Sequence, residues 1–567
     1  MPTPDRRAFL AAFASTGVAS TLLPGVLWAQ MQQGTKVVTV EMVREAAKLA
    51  GTELTDAEAA DLTSSLSSLA RGAEGIDRRT LTNGSPLPIH FDPRPHGVKI
   101  PAPPTAPLFR IEPAPAIRKP EKLESIAFSP VTQLAHLIRT RQITSTALTS
   151  MYLDRLKRYN PQLNCVAELT EARALAEAAA ADKEIAAGKY RGVLHGIPYG
   201  VKDIIAAKGY PTRWGAKPLE AQTFDDDATV VTRLHDAGAV LVAKLTTGEL
   251  AFGDQWAGGR TNSPWNLQQG SSGSSAGPAS AMGAALVAFS IGSDTGGSIL
   301  FPSARCGIAG IRPTFGRVSR YGVMTAGSSL DKIGPMCRTV QDCAIVLHAI
   351  AGPDNLDLAV PDNIPVTFDA TKGRYPKRIG YVPAMLAAGN NPEQRANNDR
   401  VMATLKQIGC TPVELEAFPS GDLSYFIEYT ERAAAFESLV AAGLHKGVST
   451  RTGRYLRACA LVTAVDYLQA NRRRAVIMQE VARRLSGVDA VMFTALTLSS
   501  VSSLNPVMSL TGHPSIAVPN GFAADGTPTA VMFSGHLYRE GDLLALAKAY
   551  EDATRYYEKQ PPLFAVS

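Results

Sequence analysis

Helix-type and strand-type spacings of apolar residues follow one another along this chain, and a proline-rich stretch divides them into two regimes. In the first, Val38-Thr-Val-Glu-Met-Val-Arg-Glu-Ala-Ala-Lys-Leu-Ala50 and Thr55-Asp-Ala-Glu-Ala-Ala-Asp-Leu-Thr-Ser-Ser-Leu66 both place apolar residues three and four apart, which predicts two amphipathic helices. Thr55 with Glu58 three residues on is a capping-box signature for the start of the second. The pattern predicts a helical hairpin within residues 30–83. Eleven prolines from Pro86 to Pro120 follow, and such a run cannot build the interior of a helix or sheet. Residues 84–124 are therefore expected to run extended along the surface as a tether, with the domain boundary near Lys122. From residue 125 to 567 helical segments (Ala135 to Tyr159, Ala172 to Ala187) alternate with short apolar runs of strand type at Gly192 to Val201, Ala239 to Ala243, Val491 to Thr494 and Ser515 to Pro519. This is the pattern of an α/β protein built on a single large mixed β-sheet covered by helices.

The first thirty residues follow a different logic. Asp5-Arg6-Arg7-Ala8-Phe9-Leu10 leads into an alanine-rich apolar stretch that ends at Trp28-Ala29. It resembles a twin-arginine export signal, 1–29, cleaved near Ala29. The expectation is a periplasmic or secreted protein with no stable membrane insertion once the signal is removed. An uncleaved anchor is the competing reading, and Pro24 with the small residues argues against it. The net charge of +6 is spread over 567 residues without a dense basic run, so no nucleic-acid partner is expected. Six cysteines (Cys165, Cys306, Cys337, Cys343, Cys410, Cys459) show no metal-ligand spacing, and nine histidines form no cluster. Neither a metal nor another cofactor is expected. Most of these thiols read as buried, with Cys337 and Cys343 the local pair that an oxidising compartment would permit.

Candidate chemistry lies between residues 196 and 322. Lys202 stands in Gly196-Ile-Pro-Tyr-Gly-Val-Lys-Asp203, Ser274 in a Gly/Ser loop, and Ser298 in Gly292-Ser-Asp-Thr-Gly-Gly-Ser298. A serine hydroxyl is a poor nucleophile at neutral pH and needs a base, which a lysine supplies if its surroundings favour the neutral amine. Apolar Val201 and Ile204 flank this one. Taken singly, the lysine reads as a surface ion pair and the serines as turn formers; the ordered set is what points to chemistry. The Thr295-Gly296-Gly297 turn before Ser298 is able to aim successive backbone N–H groups at one point, as an oxyanion requires.

These segments, with Cys306-Gly-Ile-Ala-Gly-Ile-Arg-Pro-Thr-Phe-Gly-Arg-Val-Ser-Arg-Tyr-Gly322 and the tail Thr511-Gly-His-Pro-Ser-Ile-Ala-Val-Pro-Asn-Gly521, resemble the amidase signature family over about residues 125–560. The resemblance implies Lys202 as base, Ser274 as a relay serine on a cis peptide bond, and Ser298 as nucleophile. Ser274 lies 24 residues before Ser298, the family spacing; Ser271 is three residues too early. It further implies cleavage of a small-molecule carboxamide to acid and ammonia or amine through an acyl-enzyme. Three departures stand out: Ala276-Gly277 followed by Pro278 where Gly-Gly is usual, Leu300 in place of an arginine, and Ser271-Ser272 in place of Pro-Gly. Pocket walls are expected from residues 415–475 and 495–510, with Phe426, Tyr429, Phe436 and Tyr455 as an aromatic lining or as core.

Other readings compete. Gly273-Ser-Ser-Ala-Gly277 also fits the nucleophile elbow of α/β-hydrolases, with Ser275 attacking and His348 or His513 as base, but an elbow needs an apolar strand before it and Asn266 to Ser272 is polar and turn-rich. Arg312 to Gly322 and Ser329 to Pro335 resemble the A subunit of glutamyl-tRNA amidotransferase, and the hairpin resembles its small C subunit. That alternative implies glutamine and tRNA as partners, against which the export signal stands. An inactive scaffold is disfavoured by the intact Lys202, Ser274 and Ser298. A homodimer is the assembly kept open.

Overall fold

The computed structural model describes residues 38–49, 54–73, 82–83, 85, 89–96, 108–113, 117–362, 364–371, 374–387, 392–459, 462–494 and 504–566. The expected signal, 1–29, lies outside them. No helix among the described residues is long and apolar enough to cross a membrane.

Among the described residues eleven strands join in one mixed sheet. In chain order they are β1 (Val166–Leu169), β2 (Pro198–Lys202), β3 (Val240–Leu245), β4 (Phe289–Asp294), β5 (Ala309–Arg312), β6 (Lys332–Cys337), β7 (Arg378–Tyr381), β8 (Thr411–Glu414), β9 (Ala490–Thr494), β10 (Ser515–Phe522) and β11 (Pro528–Gly535). Their order across the sheet is β8-β7-β9-β11-β10-β5-β6-β4-β2-β3-β1. The expected mixed sheet covered by helices is what forms.

Both faces of this sheet are covered, which is why its strands read as unbroken apolar runs rather than as alternating ones. In β3, Leu241 enters the cluster that holds Val230, Val231 and Leu234 of the helix Thr229–Asp236, whereas Val240 and Val242 enter the cluster that holds Ala174 and Ala178 of the helix Glu171–Ala186 and Ala279 and Ala281 of the helix Ala276–Gly283. Likewise Val531 and Phe533 of β11 enter one cluster and Ala530 and Met532 the other.

One topological fact places the candidate chemistry. Strands β2 and β4 are parallel neighbours, with Tyr199, Gly200 and Val201 in register with Phe289, Ser290 and Ile291. Both chains therefore leave the sheet at the same edge, Lys202 from one and Ser293-Asp294 from the other. The carboxyl ends of parallel strands are where open α/β sheets bind their ligands.

The N-terminal helices run Val40–Leu49 and Asp56–Ala73 and pack through Val38, Val43 and Ala59. The capping box forms as read: Glu58 Oε2 accepts from Thr55 N at 2.8 Å, and Thr55 Oγ1 accepts from Glu58 N at 3.3 Å. The described parts of the proline-rich segment lie on the larger body. Phe109–Arg110 pairs in parallel with Phe368–Asp369, Asn83 Nδ2 donates to Thr325 O, and the Arg474 guanidinium sits 3.4 Å over the Phe91 ring.

Two readings need correction. Asn266–Gly270 forms a short strand, paired with Asn262–Ser263, although its residues are polar; it lies half-exposed and needs no apolar face. Cys337 and Cys343 are free buried thiols, as are Cys165, Cys306 and Cys410. Cys343 Sγ donates instead to Ala309 O at 3.7 Å.

Candidate active site

Lys202 closes β2 with its side chain wholly buried. Nζ stands 2.7 Å from Ser274 Oγ and 2.8 Å from Ser293 Oγ. The surface ion pair is thus ruled out for it, and the adjacent Asp203 is paired with Lys244 at 2.8 Å instead. Burial pulls the Lys202 pKa from 10.5 down to about 7, with Asp294 and Asp331 opposing it and the Arg432 charge adding to it. An amine surrounded by hydroxyls rather than carboxylates is poised to lose its proton near neutrality.

Ser274 is buried at the end of a loop whose Gly273–Ser274 peptide is cis. The segment 248–254 holds that loop from behind. Gly248 N donates to Ser274 O at 3.3 Å, and Gly273 lies so close to Gly253 that a Cβ on it would sit 1.9 Å from the Gly253 carbonyl oxygen. Ser271 turns away and donates its hydroxyl to Ser272 O at 3.1 Å.

Ser275 begins the helix Ala276–Gly283 and is fully committed: Oγ donates to Ser293 O at 3.0 Å and accepts from Ser293 N at 3.1 Å. Its backbone N donates to Ser298 O at 3.1 Å, which ties the Ser274 loop to the Ser298 turn. The helix that follows is packed backbone to backbone, and a Cβ on Gly277 would lie 2.3 Å from Thr246 N. Small residues are required there, and Pro278 is tolerated because it falls in the first turn, where N–H groups have no helical acceptor. This accounts for the Ala276-Gly277-Pro278 departure.

Ser298 is half-buried at the end of the 295–298 turn. Asp294 organises that turn: Oδ1 accepts from Gly297 N at 2.7 Å and Oδ2 from Ile299 N at 2.8 Å. Burial pushes the Asp294 pKa up, but Arg312, Lys332 and these two N–H groups outweigh it and hold the carboxyl below its ordinary range. The turn's carbonyls are held as well. Asn505 Nδ2 donates to Gly296 O at 2.7 Å, Ser509 Oγ donates to Thr295 O, and Arg312 Nη1 fixes Asn505 by donating to its Oδ1 at 2.7 Å. Thr295 Oγ1 donates to Asp331 Oδ1 at 2.6 Å.

One expected oxyanion donor is thereby corrected. The Gly297 N–H is spent on Asp294 inside the turn, whereas the N–H groups of Thr295, Gly296 and Ser298 have no hydrogen-bond acceptor among the described residues.

The histidines that an elbow mechanism would need are elsewhere. His348 stacks on Phe109 at 4.0 Å, and buried His513 has Nδ1 2.8 Å from Thr511 Oγ1 with its pKa pushed down to about 3 by burial. With Lys202, Ser274 and the Ser298 turn assembled by two strand ends and one helix start, the family comparison is unambiguous: a family model described as Amidase matches residues 147–544. The chain belongs to the amidase family.

Its curated relatives include the A subunit of glutamyl-tRNA(Gln) amidotransferase from Thermosynechococcus vestitus, 34% identical over 77% of this chain and all of that one. The protein of the same name from Coxiella burnetii is 33% identical over 76% of this chain and 99% of its own length. Among solved structures, the peptide amidase of Stenotrophomonas maltophilia superposes with a TM-score of 0.70 at 29% identity, covering 78% of this chain and all of that one.

Within this amidase-family site, sequence reading missed Ser293, Asp294, Arg312, Asn505 and Ser509 as supporting groups. Ser293 and Asp294 lay inside a quoted motif, and only the absence of an obvious chemical role hid them. Asn505 and Ser509 reach the turn from about 200 residues away, which no local spacing signals. Of the four aromatics read as a lining or as core, Phe436 is core, 1% exposed and packed edge-on to Trp214 at 5.9 Å. Of the expected wall 495–510, residues 495–503 lie outside the described residues, and the helix Asn505–Leu510 is buried behind the turn.

Ser275 separates the two mechanisms experimentally. Ser275→Ala leaves the buried Ser293 N–H without its acceptor, and stability should fall by about 1–3 kcal/mol. Thermal melting should register this loss while acylation by an activated ester persists. Abolished acylation at an unchanged melting temperature would restore the elbow.

Proposed function

We propose that the chain hydrolyses a carboxamide through an acyl-enzyme on Ser298, with Lys202 as base and Ser274 as relay. The observation that carries this is the wholly buried Lys202 amine 2.7 Å from Ser274 Oγ, with its pKa drawn down to about 7. In the neutral state Nζ accepts the Ser274 proton while Ser274 Oγ accepts that of Ser298, whose Oγ attacks the amide carbon. The carbonyl oxygen becomes an oxyanion facing the Thr295 and Gly296 N–H groups, each such donor contributing about 3 kcal/mol. The proton then returns by the same relay to the departing nitrogen, and water repeats the sequence to release the acid. Esters meet the same requirements. We further propose that residues 1–29 direct export and that the 30–83 hairpin is an appended module.

A second reading is favoured by the names of the curated relatives, amidotransferase A subunits. In that reading glutamine is the amide and the ammonia is passed on. One assay divides the two: the purified chain is given short aliphatic, aryl and peptide amides beside free glutamine. Release of ammonia from several non-glutamine amides by the isolated chain is the expected result. Activity confined to glutamine, or dependent on an added partner, would favour the amidotransferase reading, and N-terminal sequencing of periplasmic material tests export.

A further inference from the structure

Beside the Ser274 loop, folding gathers four aromatic rings, of which Tyr425 and Tyr455 stay exposed while Phe252 and Tyr429 are half-buried. Phe252 lies 5.7 Å from Tyr429 and 6.3 Å from Tyr455, Tyr429 lies 5.1 Å from Tyr455, and Tyr425 lies 6.3 Å from Tyr429. Their planes meet at angles between 27° and 38°. Tyr425 remains 36% exposed and Tyr455 37%. Tilted rings that stay partly exposed offer an edge-on or offset-stacked place to another flat ring, and exposed apolar surface concentrated in one patch marks binding rather than folding.

Two contacts join this patch to the candidate active site. Phe252 belongs to the 248–254 segment that holds the Ser274 loop, through Gly248 N on Ser274 O and Gly253 against Gly273. From the other side, the helix Leu423–Ala435 carries Tyr425, Glu428 and Tyr429, and Glu428 Oε2 is 3.3 Å from where a Cβ on Gly296 would sit. Apart from the chain neighbours of Gly296, no other described heavy atom comes within 4 Å of that position, so Glu428 walls the space over Gly296. Arg432 locks the two sides together: Nη1 donates to Leu250 O, Nη2 donates to Glu428 Oε1 at 2.6 Å, and its guanidinium lies 4.1 Å over the Phe252 ring. The rings and Glu428 thus form one braced wall running from the Ser274 loop to the Gly296 turn.

We propose that this wall seats the ring of an aryl or arylalkyl carboxamide and sets its carbonyl over Gly296 and Ser298, an inference that rests on the amidase reading above. In a primary carboxamide the leaving group is ammonia, so a ring can be carried only by the acyl part, and that part is the occupant. A single methylene gained or lost in an apolar pocket already discriminates by about 10–200-fold, and losing a ring from the wall should cost at least the lower end of that range.

The test compares kcat/KM for benzamide, phenylacetamide and phenylalaninamide with propionamide and hexanamide. The wild type should favour the aryl set by at least about tenfold, and Tyr429→Ala or Tyr455→Ala should lower aryl turnover about 10–100-fold while aliphatic turnover moves less than about threefold. Tyr429→Phe should retain most of the aryl preference. An aliphatic preference in the wild type, or variants that lower both sets alike, would overturn the proposal. Binding is read separately by titrating benzamide into Ser298→Ala and following intrinsic fluorescence. Saturation that weakens in Ser298→Ala/Tyr429→Ala supports the wall even if no amide is turned over, in which case only the amidase reading fails; no saturation overturns the wall.

Discussion

Ser298→Ala is expected to lower amide turnover by about 10⁴-fold or more, with little change in KM. The remaining hydroxyls cannot take over. Ser275 Oγ is committed to both backbone groups of Ser293, and Ser274 Oγ is held at Lys202, 2.7 Å from Nζ. The turn itself should survive, because Asp294, Asn505 and Ser509 grip its backbone and not the Ser298 side chain. What remains is the oxyanion donors and substrate positioning, which in serine hydrolases sustain a small residual rate over water. Stopped assays with an excess of enzyme over amide measure this, alongside a melting curve to show that the fold is intact. A variant within about tenfold of wild type would move the nucleophile elsewhere.

Lys202→Ala should cost about 10²–10⁴-fold, the range for a positioned general base, and it should also change the shape of the pH profile. The folded-state pKa of about 7 lies below the ordinary 10.5 because burial disfavours the ammonium. The base works only when unprotonated, so kcat/KM should rise tenfold per pH unit below neutrality, bend near pH 7 and level off above it. Lys202→Ala should lose the bend along with the rate. Lys202→Arg should be as poor as the alanine variant, since a guanidinium does not give up its proton in this range. A wild-type profile that is flat between pH 5 and 9, or one that keeps its bend in Lys202→Ala, would assign the titration to another group.

The sequence made the sheet visible where its strands are buried on both faces. Val240–Leu245 and Ser515–Phe522 announce themselves as apolar runs because helices cover each side of them. Lys332–Cys337 does not, since Gly334 and Pro335 interrupt it, and its place between β4 and β5 is set by neighbours, not by propensity. At the site, the meeting of Lys202 with Ser274 and of the Ser274 loop with the Ser298 turn was legible because the proposed chemistry restricts the residue types that carry it. The 295–298 turn was half legible: glycines before a serine mark its location, but which of its N–H groups stay without an acceptor depends on where Asp294 points. The grip of Asn505 and Ser509 on that turn was not legible at all, being a product of tertiary packing between segments about 200 residues apart.

The central claim is that an uncharged Lys202, acting through Ser274, makes Ser298 nucleophilic. Its most direct test is rapid-quench acylation by an activated ester between pH 5 and 9, with the adduct located by peptide mass mapping. The acyl mass should appear on the peptide that carries Ser298, at a rate that climbs with pH and bends near 7. An adduct on Ser274 or Ser275, or an acylation rate on Ser298 that ignores pH across that range, would contradict the account.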